Sequence, residues 1–132
     1  MSAGYNYLEP AELVALLDGA EKEKVAVVDC RDEDRRGGHV VKSRHFPSAT
    51  GLSAQRLAEL ADDLRRAGIA VAVFHCALSQ VRGPRAAGRF AAILRDLGMD
   101  TPRVFVLRGG WELFHSIYHA SRPDLIDYEG DH

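Results

Sequence analysis

Apolar and polar positions along the chain follow two alternating rhythms. Short, nearly unbroken apolar runs read as buried strands: "VAVVDC" (Val25 to Cys30), "VAVFHC" (Val71 to Cys76) and "RVFVLRGG" (Arg103 to Gly110). Continuous β-branched and apolar content is what a parallel strand covered on both faces requires. "YNYLE" (residues 5–9) adds a first strand, and "SRHFPS" (residues 43–48) a short one ended by Pro47. Between these runs the spacing becomes helical. "AELVALLDG" sets Leu13, Leu16 and Leu17 on one face, with Pro10 suited to the first turn and Gly19 as the stop. "SAQRLAELADDLRRAG" carries a stripe of Leu57, Leu60, Ala61 and Leu64 between a candidate N-cap, Ser53, and Gly68. "GPRAAGRFAAILRDLG" and "WELFHSIYHA" complete the helices, and "SRPDLIDYEGDH" reads as a tail that frays at its end.

Strand and helix alternate five times, which predicts an α/β domain with a parallel sheet of about five strands and helices on both faces. At 132 residues the chain fits one domain, expected to span residues 1–132. In such sheets a ligand sits beyond the carboxyl ends of the strands. Cys30 and Cys76 each end a buried strand, so both thiols are expected to open toward one crevice.

Composition narrows the function classes. The content is 46% apolar and 27% charged, ordinary for a globular domain. Seventeen basic against 19 acidic residues (net charge −2) give no polyanion-binding signature, so nucleic acid is not expected as a partner. No apolar run reaches membrane-spanning length. "MSAGYNYLEPAEL" has neither a basic nor a hydrophobic leader region, so a cytoplasmic monomer is expected. Two cysteines are too few for a disulfide scaffold or a four-cysteine zinc site, and no metal is predicted.

The stretch "VAVFHCALSQVRGPRAA" (Val71 to Ala87) carries the chemistry. A strand empties into a loop with five residues between Cys76 and Arg82, and a helix begins directly behind it, near Gly83. Loop N–H groups can converge as a nest, and the helix aims its positive end at the same point. Arg82 adds a planar fork matched to two oxygens of a tetrahedral oxyanion. The same field favours the Cys76 thiolate, giving an anion cradle with a nucleophile at its floor. A bare pair of Cys and Arg at this spacing arises by chance, but its place between a strand and a helix start makes the pattern specific.

"HCALSQVRGPRAAGRF" resembles the active-site loop of the cell-division-cycle dual-specificity phosphatases and their arsenate reductase relatives, within the rhodanese-like superfamily. "VVDCRDEDRRGGHVVKS" and "VFVLRGGWELF" resemble two further segments of that family, in the same order. The resemblance implies a rhodanese-like fold, with Cys76 as nucleophile and Arg82 as oxyanion clamp. It makes Ser79 a hydroxyl near the thiolate, and the backbone of Ala77, Leu78, Ser79, Gln80, Val81 and Arg82 the cradle. Sulfurtransferase relatives usually have a loop one residue shorter, which sets a sulfur-binding module behind an enzyme acting on an oxyanion. The phosphatases favour an acidic residue where this chain has Val81, which points to the arsenate reductase branch. The implied activity is reduction of arsenate, with antimonate as a further substrate, using glutathione as co-substrate and glutaredoxin as partner. Aryl-phosphatase activity is expected alongside, because phosphate and arsenate share charge and shape. A protein tyrosine or dual-specificity phosphatase is the alternative.

Other residues divide between chemistry and structure. Cys30 is either a small buried hydrophobe or a redox partner; the family's corresponding cysteine traps the oxidised nucleophile. Asp29 and Arg31 are expected to brace loops by an ion pair, and His75 to tie the active-site loop in place. His39 reads as a satisfied loop histidine, and His115 with His119 as a helix face lacking a third metal ligand. Asp32, Glu33 and Asp34 are acidic candidates for a proton donor, none singled out by sequence. Gly109-Gly110-Trp111 reads as a tight turn with an aromatic anchor, and Arg85 as a basic residue near the loop for a partner or an anion.

Overall fold

The structure is a computed structural model and describes residues 4–128. Five strands form one parallel sheet: β1 (Asn6–Leu8), β2 (Val25–Asp29), β4 (Arg44–His45), β5 (Val71–His75) and β6 (Arg103–Leu107), in the order β1-β6-β5-β2-β4. The three long runs read from the sequence are the three central strands. Four residues of β2 and four of β5 are buried, as strands covered on both faces must be.

The helices take both faces. On one, α3 (Ala54–Arg66) and α4 (Arg82–Asp96) pack Leu57, Leu60, Ala61, Leu64, Ala86, Phe90 and Leu94 against Val28, Phe74 and Val106. On the other, α1 (Pro10–Asp18) and α5 (Gly110–Tyr118) set Leu13, Trp111 and Phe114 against Val27, Val73 and Leu107. Ser53 caps α3 as its position suggested: its Oγ accepts from the Arg56 N–H at 3.1 Å. At the start of α1, the Glu12 carboxylate accepts from the Glu9 N–H at 2.8 Å.

Two features differ from the sequence reading. The strand expected over residues 43–48 shrinks to the two-residue edge strand β4, and a four-residue helix, α2 (Ser48–Gly51), follows it. The segment read as a tail instead packs. Leu125 and Ile126 are buried, and β7 (Ile126–Asp127) pairs antiparallel with β3 (His39–Val40). Its apolar pair covers Val40 and joins the core beside α5, burial worth about 1.5–3 kcal/mol per side chain. The fraying expected at the chain end falls on residues 129–132, outside the described residues.

The topology places the site. After β2 the chain moves outward to β4, whereas after β5 it moves to β6 on the other side. The carboxyl ends of β2 and β5 therefore flank the point where the connections diverge, the place an open parallel sheet offers a crevice. Among the described residues, no helix is long and apolar enough to cross a membrane.

Candidate functional site

The two cysteines meet at this divide. Asp29 pairs with His75 at the end of the β2–β5 ladder, and the Cys30 N–H donates to the His75 carbonyl at 2.7 Å. The ladder thus runs one residue past the strands and sets Cys30 beside the start of the Cys76 loop. Both thiols are free, but they do not open together to a crevice as expected: Cys30 is fully buried in the core and Cys76 nearly so. Burial, with the nearby negative charge of Asp29, pushes the Cys30 thiol well above its ordinary range, so it rests protonated.

The loop from Cys76 to Arg82 is clamped by two helix starts. The Trp111 N–H donates to the Cys76 carbonyl at 3.0 Å, and the Glu112 N–H to the Ala77 carbonyl at 2.9 Å. This close approach needs a glycine in the turn before α5. Gly110 has φ +61°, and a Cβ there would lie 2.5 Å from the Cys76 oxygen and 2.6 Å from that of Ala77. On the other side, the Gly83 N–H in the first turn of α4 donates to Cys76 Sγ at 3.2 Å. An N–H and the positive end of a 15-residue helix thus converge on the sulfur.

Ser79 takes the left-handed conformation, φ +56°, which folds the loop inward. Its hydroxyl is buried with no hydrogen-bond partner among the described residues. Leu78 and Val81 point the other way and are more than half exposed. In the loop Ser79 therefore turns in, while Leu78, Gln80 and Val81 are exposed.

Behind the loop lies a largely buried charge network. Asp29 accepts from Arg31 through its backbone N–H (3.0 Å), Nε (3.1 Å) and Nη2 (2.7 Å), and from Arg35 Nε at 3.2 Å. Burial raises the Asp29 carboxyl, but the hydrogen bonds from Arg31 and the surrounding positive charge carry it below its usual range. Arg31 also donates to the carbonyls of Gly38 (2.8 Å) and Asp34 (3.2 Å), with its guanidinium 4.7 Å from the Trp111 ring centre. His75 Nδ1 donates to the Cys76 carbonyl at 3.1 Å, and burial holds the ring neutral, below its ordinary value. Asp29, Arg31 and His75 thus bond the ends of β2 and β5 to the charged turn and the loop.

Arg82 has partners the sequence reading missed. Its Nη1 donates to Asp34 Oδ1 at 2.9 Å and to Asp32 Oδ2 at 3.3 Å, and its Nη2 to Asp34 Oδ2 at 2.6 Å. The hydrogen bonds from Arg82 hold the Asp34 carboxyl at about 2. Asp32 is lowered too: burial opposes it, and hydrogen bonds from Ala49, Ser48 and Arg82 outweigh burial. Asp32 and Asp34 are thus carboxylates at neutral pH. The charged turn "RDEDRR" held the available signal, because a run of acids suggests ion pairs to a distant arginine as readily as proton donors.

His39, His115 and His119 make structural contacts. His39 Nδ1 lies 2.9 Å from the Val40 carbonyl and 3.2 Å from Ser43 Oγ. His115 and His119 stack with ring centres 5.0 Å apart, and His115 Nε2 lies 3.2 Å from the Tyr128 hydroxyl. Among the described residues, no three His, Cys, Asp or Glu side chains are grouped to hold a metal ion. Arg85 is exposed on the first turn of α4.

Comparison with known proteins decides the family. The model of the rhodanese-like domain matches residues 9–117. The chain belongs to the rhodanese-like domain family. This rhodanese-like domain is 40% identical over 119 residues to arsenate reductase 2.2 of Oryza sativa subsp. japonica, covering 86% of each chain. It is 34% identical over 137 residues to the Cdc25-like phosphatase YCH1 of Saccharomyces cerevisiae, covering 95% of this chain and 91% of that one. Its fold superposes on the As-Sb reductase from Leishmania major with a TM-score of 0.89 and 46% identity, over 92% of this chain and 84% of that one. Relatives of both enzyme types thus span nearly the whole rhodanese-like domain.

Proposed function

We propose that this protein is a thiolate-dependent arsenate reductase that also accepts antimonate. The observation that carries the reading is the Cys76 sulfur at the start of α4, hydrogen-bonded by the Gly83 N–H at 3.2 Å, inside a loop that ends at Arg82. The reductase names of the rice and Leishmania relatives support it. In this reading Cys76 is the nucleophile and Arg82 the oxyanion clamp. The backbone from Ala77 to Arg82 is the cradle, and the unpartnered Ser79 hydroxyl is a donor for the anion or the thiolate.

The Cys76 thiolate bonds to arsenic(V), and one arsenate oxygen departs as water after taking two protons. A glutathione thiol then joins the Cys76 sulfur in a disulfide. The two electrons released reduce arsenic(V) to arsenic(III), and arsenite leaves. A second glutathione, with glutaredoxin as carrier, exchanges onto that disulfide and returns Cys76 to the thiol. Exposed Leu78, Val81 and Arg85 border the loop on the side a carrier would approach.

A phosphatase of the Cdc25 type is the second reading, favoured by the YCH1 match. The ionised state of Asp32 and Asp34 weighs against it for poor leaving groups, because neither has a proton to give at neutral pH. Aryl phosphates, whose leaving groups need little protonation, remain good substrates in either reading. Paired turnover by one preparation separates the two: arsenate with glutathione and glutaredoxin against para-nitrophenyl phosphate, each with a Cys76→Ser control. Arsenate turnover well above hydrolysis supports the reductase; strong hydrolysis with no arsenite formed makes the protein a phosphatase.

Cys30 is proposed as the guard of Cys76. A Cys76 sulfenic acid condenses with the Cys30 thiol, forming a disulfide and releasing water, before further oxidation. Its place at the end of the shared ladder supports this. A Cys30→Ser protein is expected to lose activity to peroxide irreversibly and faster than the wild type; equal loss rules out the role.

A further inference from the structure

Arg82 is held on one face and open on the other. A guanidinium has five N–H groups in a fixed plane. Three of those of Arg82 are taken: two on Nη1, by Asp34 and Asp32, and one on Nη2, by Asp34. The Nε–H and the second Nη2–H have no partner among the described residues. Those two share the side edge of the plane, the fork that grips two oxygens of a tetrahedral anion.

The carboxylates doing the holding are themselves fixed. Asp32 Oδ2 accepts from the Ser48 hydroxyl at 2.7 Å, and Asp32 Oδ1 from the Ala49 N–H at 2.9 Å. Asp34 Oδ1 accepts from the Asp32 N–H at 2.8 Å. The Asp34 carbonyl takes a bond from the buried Arg31 at 3.2 Å, which ties the acidic turn to the network beneath the loop. A side chain meant to swing away and release Arg82 would not be anchored at so many points.

We infer that Asp34, assisted by Asp32, is a positioning residue: it commits the end face of the Arg82 guanidinium to the protein and so presents the side edge to the substrate oxyanion. The inference rests on the reading of the Cys76 loop as an oxyanion site. It assigns a role to the two acids other than proton donation, and it makes Arg82 a pre-set clamp. The opposite arrangement, in which Asp34 is a stand-in anion that substrate must displace, predicts the reverse response to mutation.

The test compares two alkylating reagents at Cys76, followed by mass spectrometry. Iodoacetate carries a carboxylate that can dock on Arg82, and iodoacetamide is its neutral isostere. The rate ratio of the two therefore reports the open edge of Arg82, while the iodoacetamide rate alone reports thiol access and folding. In the wild type, iodoacetate is expected to be preferred, with inorganic phosphate abolishing the preference. Asp34→Ala is expected to lower the ratio about tenfold, the size of one charge-assisted hydrogen bond. Asp34→Asn, which keeps one acceptor oxygen, is expected to lower it less. Removing a negative charge from the mouth would by itself speed an anionic reagent, so a fall can come only from lost orientation. A ratio that rises in Asp34→Ala, or stays level, overturns the inference. Failure of the reductase reading shows separately: no arsenite is formed, although the ratio still falls in Asp34→Ala.

Discussion

Two arginine–aspartate clusters stand on either side of the charged turn, with the same chemistry and opposite settings. Arg31 and Asp29 are almost wholly buried, with side-chain exposures of 2% and 0%. Arg82 and Asp34 lie at the mouth of the loop, with exposures of 31% and 42%. Arg31 spends four of its five N–H groups on Asp29 and two carbonyls, lays its face on Trp111 and is buried away from any ligand. Arg82 keeps an edge. Burial turns an ion pair into a structural joint, and partial exposure leaves one available for binding. The two are coupled through Asp34, whose carbonyl takes a bond from Arg31 while its carboxylate holds Arg82.

The comparison is broken most forcefully at Arg31. Arg31→Ala leaves a buried Asp29 carboxylate with Arg35 as its remaining arginine partner, and frees the carbonyls of Gly38 and Asp34. The expected loss is about 3–5 kcal/mol of unfolding free energy, measured by urea titration. A loss under about 1 kcal/mol would mean that the interior pair behaves like a surface one. Next in size is Gly110→Ala, which drives a Cβ against two loop carbonyls at a positive φ. About 1–3 kcal/mol of strain is expected, with arsenate turnover falling on the order of 10²-fold as the loop shifts. Gly37→Ala is the control: φ is +100° there, but nothing lies within 4 Å of the added Cβ, so stability should fall while turnover holds.

Those two residues also mark what was legible in the sequence. The apolar runs of β2, β5 and β6 and the helical stripes carried the parallel sheet and its covering helices but no strand order, and they set Cys30 and Cys76 at strand ends, because strand ends follow directly from periodicity; the complete burial of Cys30 they did not carry. The Cys76 loop was readable because its spacing and its helix start are local. The Arg82–Asp34 pair was not, since it joins residues 48 apart whose meeting depends on β2 and β5 being neighbours. The burial of Leu125 and Ile126 was hidden for a related reason. Two apolar residues in a polar tail make a strand only when Val40 is already there to receive them.

His75 gives an intermediate effect through pH. Burial holds its folded value below the ordinary 6.5, so the native state takes up a proton less readily than the unfolded chain. Its contribution is therefore present above that ordinary value and lost as pH falls below it. Unfolding free energy is expected to decline between neutral and mildly acidic pH with a slope that His75→Gln reduces, as read by urea titration across that range. An unchanged slope would mean that His75 does not carry the acid sensitivity.

The smallest effect on stability is expected at Asp34, and the contrast with Arg31 depends on it. The Asp34 carboxyl sits at about 2 when folded against an ordinary 3.8, so its ion pair stabilises above the ordinary value and is lost as pH falls toward 2. Half-exposed and screened by water, the pair is worth less than about 1 kcal/mol. Asp34→Asn should therefore cost less than that at neutral pH by urea titration, with the gap to wild type closing in acid. The same change is expected to alter the reactivity of Cys76 toward an anionic reagent severalfold. A side chain that moves function more than stability is oriented toward a ligand, whereas Arg31 must show the reverse. Should Asp34→Asn unfold the protein as readily as Arg31→Ala, the acidic turn would be a structural joint like the network beneath it, and Arg82 would have no edge set aside for an anion.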